Sequence, residues 1–211
     1  MGLQNYLKVK KSLEVYSPRE DTWFLTDTLV EYFNNLNGLR FKKLHVCEIG
    51  LGSGYISAVL GKKYPNMNFV GVDVFLGAVE LSYPNMAQWL QFNRFSLICS
   101  NLLNSLNPET YHPDVIYFNP PYVRTSTDEY RNDTTPIIKA YAGGPSGTAV
   151  IHKFLENLKD FNFKTGFFLS SQFNENEKFE TYFKKNFRFE IIDERKVEDE
   201  NLLCYQVILR K

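Results

Sequence analysis

The feature that most limits how this chain can fold is Val115-Ile116-Tyr117-Phe118, followed at once by Asn119-Pro120-Pro121-Tyr122. The four apolar and aromatic residues read as a buried strand. Two prolines then stop it, because neither has an N–H to give to a strand ladder. The restriction on residues before proline holds Asn119 extended. The product is a rigid elbow at the carboxyl end of a strand, with an amide and an aromatic ring projecting from it. Open α/β sheets bind their ligands at such strand ends.

The elbow has a chemistry of its own. The Asn119 side-chain oxygen and the Pro120 carbonyl can each accept one N–H from a planar –NH₂ group. Tyr122, beside Pro121, offers a flat surface for stacking. An amide nitrogen is a poor nucleophile, since its lone pair is delocalised. It reacts when it is desolvated and aimed in line at a strongly electrophilic carbon. A strand-ending Pro-Pro turn explains the same four residues, so the elbow needs support from upstream.

That support begins with the order of elements. Apolar runs predict strands at Leu44–Ile49, Asn68–Asp73, Phe95–Cys99, Asp114–Phe118, Lys164–Ser170, Phe187–Asp193 and Leu202–Leu209. A first helix is expected with Ser17 as cap, Pro18 at its first position and acids in its first turn, ending near Asn34, Asn35, Asn37 and Gly38. Further helices are expected at Tyr55–Lys63 and Phe75–Phe92, where Pro84 must kink or restart the turn, then at Thr148–Lys159, capped by Ser146, and at Glu175–Lys185. Residues 123–135, rich in Thr, Asp and Asn, read as a loop. The turn Val197–Asn201 is too short for a crossover helix, so the last two strands pair antiparallel, one of them fitting between the fifth and sixth. The expected fold is α/β: a doubly wound, mostly parallel seven-stranded sheet with an antiparallel last strand, in one domain spanning 1–211.

Composition narrows the functions. Formal net charge is zero, from 24 basic and 24 acidic residues, which argues against a broad nucleic-acid footprint. The local clusters Lys8, Lys10, Lys11 and Lys184, Lys185, Arg188 read as solvated faces. Cys47, Cys99 and Cys204 are odd in number, sit in apolar runs and suit neither disulfides nor zinc, so all three are expected to be reduced core residues. The three histidines are scattered, and no metal is expected. With 18 Phe and 13 Tyr, aromatic surface is available for an interface, although a Phe-rich core would use it equally well. The absence of a signal-like or spanning apolar run makes a cytoplasmic protein the expectation, with the nucleus as the other compartment.

Between the first strand and the next helix lies Glu48-Ile49-Gly50-Leu51-Gly52-Ser53-Gly54. A dinucleotide fingerprint needs a third glycine three positions after the second, where this chain has Tyr55. Glu48 would repel a pyrophosphate and suits a cationic or amino-bearing ligand. Asp73 ends the second strand, about 20 residues on, where a carboxylate can hold ribose hydroxyls. The ligand indicated is a nucleoside without phosphates, S-adenosylmethionine.

With these residues in view, the chain resembles the class I S-adenosylmethionine-dependent N-methyltransferases that carry Asn-Pro-Pro-Tyr. More narrowly it is similar to their eukaryotic and archaeal HemK-like branch, which methylates a glutamine in translation release factors. The resemblance rests on Val15-Tyr16-Ser17-Pro18-Arg19-Glu20-Asp21-Thr22, on Phe118 to Val123, and on Ala140-Tyr141-Ala142-Gly143-Gly144 with Gly147. It implies that residues 1–38 close over the cofactor through Tyr16 and Thr22. Glu48 and Gly50 would then line the methionine end, Gly52 and Gly54 shape the turn, and Asp73 hold the ribose. Asn101 and Leu102 would flank the adenine. Asn119 would touch both cofactor and substrate, with Pro120, Pro121 and Tyr122 on the substrate side. The implied substrate is the Gly-Gly-Gln loop of a class 1 release factor. The implied partner is a small zinc-binding activator that adds a strand beside Phe95–Cys99, near Phe92 and Leu102-Leu103. Two departures stand out: the family has Asp where this chain has Asn101, and Asn-Pro where it has Val74-Phe75-Leu76-Gly77. The same elbow could serve an adenine N6 amine on a flipped base, or a lysine.

Overall fold

The computed structural model describes residues 12, 14–36 and 43–210. Its core is a seven-stranded sheet in the order β3-β2-β1-β4-β5-β7-β6. The strands are β1 (Leu44–Ile49), β2 (Met67–Asp73), β3 (Phe95–Cys99), β4 (Val115–Phe118), β5 (Thr165–Ser171), β6 (Phe187–Val197) and β7 (Glu200–Leu209). The first five are parallel, and β7 runs antiparallel between β5 and β6. The helices are α1 (Glu20–Asn35), α2 (Tyr55–Lys63), α3 (Leu76–Ala87), α4 (Thr127–Asn132), α5 (Pro136–Lys139), α6 (Ala149–Leu158) and α7 (Asn176–Phe183).

β4 is buried along its whole length, as is β5. Parallel strands covered by helices on both faces need apolar residues at successive positions, and these two have them. On α6, Ile151, Phe154, Leu155 and Leu158 recur at helical spacing and are fully buried. Phe154 packs edge-on against both Phe118 and Phe168, and Phe168 stacks on Tyr205 with centroids 5.2 Å apart. Most of the phenylalanine is therefore core, where each fully buried ring stabilises by about 1.5–3 kcal/mol. Among the described residues Phe75 and Phe189 are half-buried, and Phe92 and Phe173 are 69% and 54% exposed.

Several boundaries differ from expectation. The first helix starts at Glu20 rather than Pro18, with Arg19 as its cap, because the Asp21 carboxylate accepts the Thr22 N–H at 2.7 Å and so satisfies the first turn from within. Pro84 lies inside α3 without ending it; that helix stops at Ala87, and a short 3₁₀ turn at Phe92–Arg94 leads into β3. The expected loop at 123–135 holds α4, capped by Ser126 Oγ accepting the Glu129 N–H at 3.1 Å, and α5 begins on Pro136 directly after it. The last two strands are longer than read, with Glu198 at φ 54° in their tight turn. Cys47 and Cys204 are buried as expected, whereas Cys99 is exposed on the edge strand β3. Readings on Lys8, Lys10, Lys11, Asn37 and Gly38 lie outside the described residues.

Candidate active site

The carboxyl ends of β1, β2 and β4 and the loop after β3 open onto one cavity of about 720 Å³. That is within the range of small-molecule sites, about 300–1,000 Å³. Tyr16 and Thr22 line it from the α1 side, and Glu48, Gly50 and Gly52 from the turn after β1. Asp73, Asn101 and Leu102 line it from the ends of β2 and β3, and Asn119 to Tyr122 from the elbow. Gly54 sits back from the lining as the left-handed cap of α2, at φ 75°.

The turn after β1 is shaped by close approach. Gly50 has φ +67°, and a Cβ there would lie 2.8 Å from the Phe118 ring, so the first glycine and the elbow are packed on each other. The Gly52 N–H donates to Asp73 Oδ2 at 2.8 Å, and the Phe75 N–H donates to Asp73 Oδ1 at 2.9 Å. These bonds hold the carboxylate in one orientation and leave lone pairs on both oxygens for hydroxyl donors. Burial raises its pKa, against the lowering effect of those amides. Val74 and Leu76, where the resembled family has Asn-Pro, point largely into solvent.

Glu48 is fully buried. Its Oε2 accepts from the Ser57 N–H at 3.2 Å, from the Ser57 hydroxyl and from the Tyr117 hydroxyl at 3.2 Å. Burial pushes its carboxyl from the ordinary 4.5 up to about 8, while the Ser57 and Tyr117 hydrogen bonds oppose the rise. Such a carboxyl ionises readily only when a cation arrives beside it. Without a ligand the native state holds this proton more tightly than the unfolded chain does. Stability is therefore highest below about pH 4.5 with respect to this group and declines as pH climbs towards 8, by an amount on the order of a few kcal/mol. A Glu48→Gln variant should lose that decline. Thermal melts between pH 5 and 8 check it, and equal slopes in both proteins would contradict it.

At the elbow, Asn119 Nδ2 donates to Asp21 Oδ2 at 2.9 Å, while Asn119 Oδ1 is buried with no partner. A buried acceptor left unpaired costs free energy unless a ligand donor reaches it. Tyr122 is buried, and its carbonyl accepts from Asn174 Nδ2 at 2.9 Å. The Ala140–Gly147 signature forms the strap that holds this region. Val123 and Tyr141 share a backbone bond of 3.0 Å, and Val123 and Gly143 share one of 2.7 Å. Gly147, at φ +72°, has Asn174 Oδ1 only 1.9 Å from where a Cβ would stand, so Asn174 reaches Tyr122 only past a glycine. Sequence reading missed Ser57 and Tyr117 behind Glu48, and it took Asp21 only as a first-turn acid. Asp21 is 6% exposed, a burial unusual for a solvated helix start. It also missed Tyr130, Lys139 and Lys153, which line the cavity from α4, α5 and α6.

This sheet order, with a glycine turn after β1, an acid ending β2 and an amide elbow after β4, defines a class I S-adenosylmethionine-dependent methyltransferase. The cavity fits the cofactor: a buried carboxyl for its cationic end and a fixed carboxylate with free lone pairs for ribose. Residues 7–143 match the methyltransferase small domain family, and the chain belongs to it. It is 32% identical over 200 residues to a Methanocaldococcus jannaschii protein provisionally named a protein N5-glutamine methyltransferase, covering 93% of each chain. It is 31% identical to the eRF1 methyltransferase catalytic subunit mtq2 of Schizosaccharomyces pombe, over 77% of this chain and 74% of that one. Among solved structures, the E. cuniculi Mtq2-Trm112 complex, responsible for methylating the eRF1 termination factor, superposes with a TM-score of 0.70. That match has 24% identity and covers 94% of this chain and 100% of that one, a likeness of fold. Among the described residues no helix is long and apolar enough to cross a membrane, and no group of His, Cys, Asp or Glu is placed to hold a metal ion.

Proposed function

We propose that this protein N5-methylates the glutamine side chain in the Gly-Gly-Gln motif of a class 1 translation release factor. The observation that carries the reading is the unpaired, buried Asn119 Oδ1 at the elbow, an acceptor waiting for the N–H of a planar amide. The activities named for the relatives point the same way. When bound, S-adenosylmethionine supplies an electrophilic methyl group. Glu48 would face its amino end, Asp73 its ribose, and Asn101 and Leu102 its base, with Tyr16 and Thr22 closing from the α1 side. Asn119 Oδ1 and the Pro120 carbonyl fix the plane of the acceptor amide, and Tyr122 stacks on it. Positioning then carries the rate. The methylated amide cation is a strong acid and loses its proton to water, so no general base is needed in the cavity. Methyl incorporation into a release factor, with the modified residue located by mass spectrometry, tests the reading. Incorporation into DNA, RNA or a lysine instead would overturn it.

We further propose that the enzyme works as the catalytic subunit of a heterodimer with a small zinc-binding activator. β3 is one of the two edge strands of the sheet, β6 being the other. Beside β3 stand Tyr83 and Phe92, 50% and 69% exposed and stacked with centroids 6.1 Å apart. An unpaired edge next to exposed aromatics suits a partner that adds a strand. Leu103, by contrast, is buried and serves the core. Changing Tyr83 and Phe92 together to Ser should weaken the complex by about 100-fold. Co-purification and calorimetry measure this, and unchanged affinity would remove these rings from the interface.

A further inference from the structure

We infer that Asp21 is a positioning residue that sets the polarity of the Asn119 amide, so that the side-chain oxygen rather than the nitrogen faces the acceptor. The inference rests on the proposed transfer to an –NH₂ group and adds a residue to it. A carboxamide has two ends of nearly equal shape, and either could point into the cavity. One end accepts the acceptor's N–H, whereas the other repels it. Nothing in the elbow's own backbone chooses between them.

Asp21 makes the choice. Its carboxylate only accepts hydrogen bonds, and it is surrounded by donors. Oδ1 takes the Thr22 N–H at 2.7 Å and the Thr22 hydroxyl at 3.3 Å. Oδ2 takes the Tyr16 hydroxyl at 3.2 Å and Asn119 Nδ2 at 2.9 Å. A flipped Asn119 would set its oxygen against Oδ2, with no proton between them. The nitrogen is therefore held on the Asp21 side, and Oδ1, the opposite end of a side chain that lines the cavity, is left buried and unpaired. The burial of Asp21, the Thr22 amide that fixes its rotamer and the orphaned oxygen are three separate observations with one explanation.

The geometry allows a swap. In Asp21→Asn the new amide keeps the Thr22 N–H only by turning its own NH₂ towards Asn119, which must then flip and offer a donor to the acceptor. In Asn119→Asp two carboxylates stand 2.9 Å apart. With both changes together, the amide at 21 donates to the carboxylate at 119, and a carboxylate oxygen again faces the cavity. The test uses the enzyme co-expressed with its activator and whichever –NH₂ acceptor the wild type methylates. Each single variant should lose about 10- to 100-fold in kcat. The double variant should recover most of the loss, and cofactor Kd is measured for each variant so that a change in binding is separated from a change in kcat. A double variant that folds, binds cofactor and is no faster than the slower single variant would overturn the inference, as would wild-type turnover in Asp21→Asn. An independent readout needs no acceptor: ¹⁵N NMR of the Asn119 side-chain amide. Asp21→Asn should shift that resonance and speed its exchange with water, and an unmoved signal would also overturn the inference. If the wild type modifies no glutamine while these signals move, the substrate reading fails and the positioning role stands.

Discussion

Asn119→Ala is expected to lower methyl transfer by about 100- to 1,000-fold while the protein still binds its cofactor. The substitution removes the unpaired Oδ1 and the bond from Nδ2 to Asp21, and leaves Gly50, Gly52 and Asp73 in place. The acceptor amide would enter the cavity without a partner to fix its plane. The loss should therefore fall mainly on kcat, since positioning of the reacting group is what the residue supplies. Radiolabelled-methyl turnover together with calorimetry of cofactor binding measures the two halves of this statement. Turnover within a few-fold of wild type would exclude Asn119 from the reaction.

Gly50→Ala should act on both halves of the site at once. A non-glycine residue at φ +67° is strained by about 1–3 kcal/mol. The added methyl would also stand 2.8 Å from the Phe118 ring, closer than atoms of that kind approach. Either the turn after β1 lifts or Phe118 moves, and Phe118 is joined directly to Asn119. Cofactor affinity is expected to fall by about 10- to 100-fold, with a lower melting temperature and a further drop in turnover at saturating cofactor. Binding within twofold of wild type would mean that the contact between turn and elbow is softer than its geometry indicates.

The strands were legible because burial leaves an unambiguous mark. Leu44–Ile49 and Phe95–Cys99 were bounded to the residue by their apolar runs, although in the edge strand β3 only Phe95 is buried. The site's outline was legible for a related reason: glycines, acids and prolines cluster at strand ends for few other purposes. What escaped was either polar and local or distant in sequence. The helix α4 is written in Thr, Asp and Asn, and only the Ser126 cap betrays it. The first helix starts two residues late because Asp21 rather than Ser17 satisfies its first turn. The bond from Asp21 to Asn119 joins residues 98 apart, and periodicity carries no trace of it. Cys99 sits in an apolar run and is nonetheless exposed, since β3 is an edge, and edge status depends on strand order.

That order has a bearing on how the chain matures. Strand β7 leaves the ribosome after β6 yet occupies the slot between β6 and β5. Until residues 200–209 emerge, β5 keeps a bare row of amides and carbonyls, and β6 has nothing to zip against. The β6–β7 hairpin must therefore close and dock as a unit, and the interval between the emergence of β5 and that of β7 is when a nascent chain of this order is exposed to mispairing along that strand.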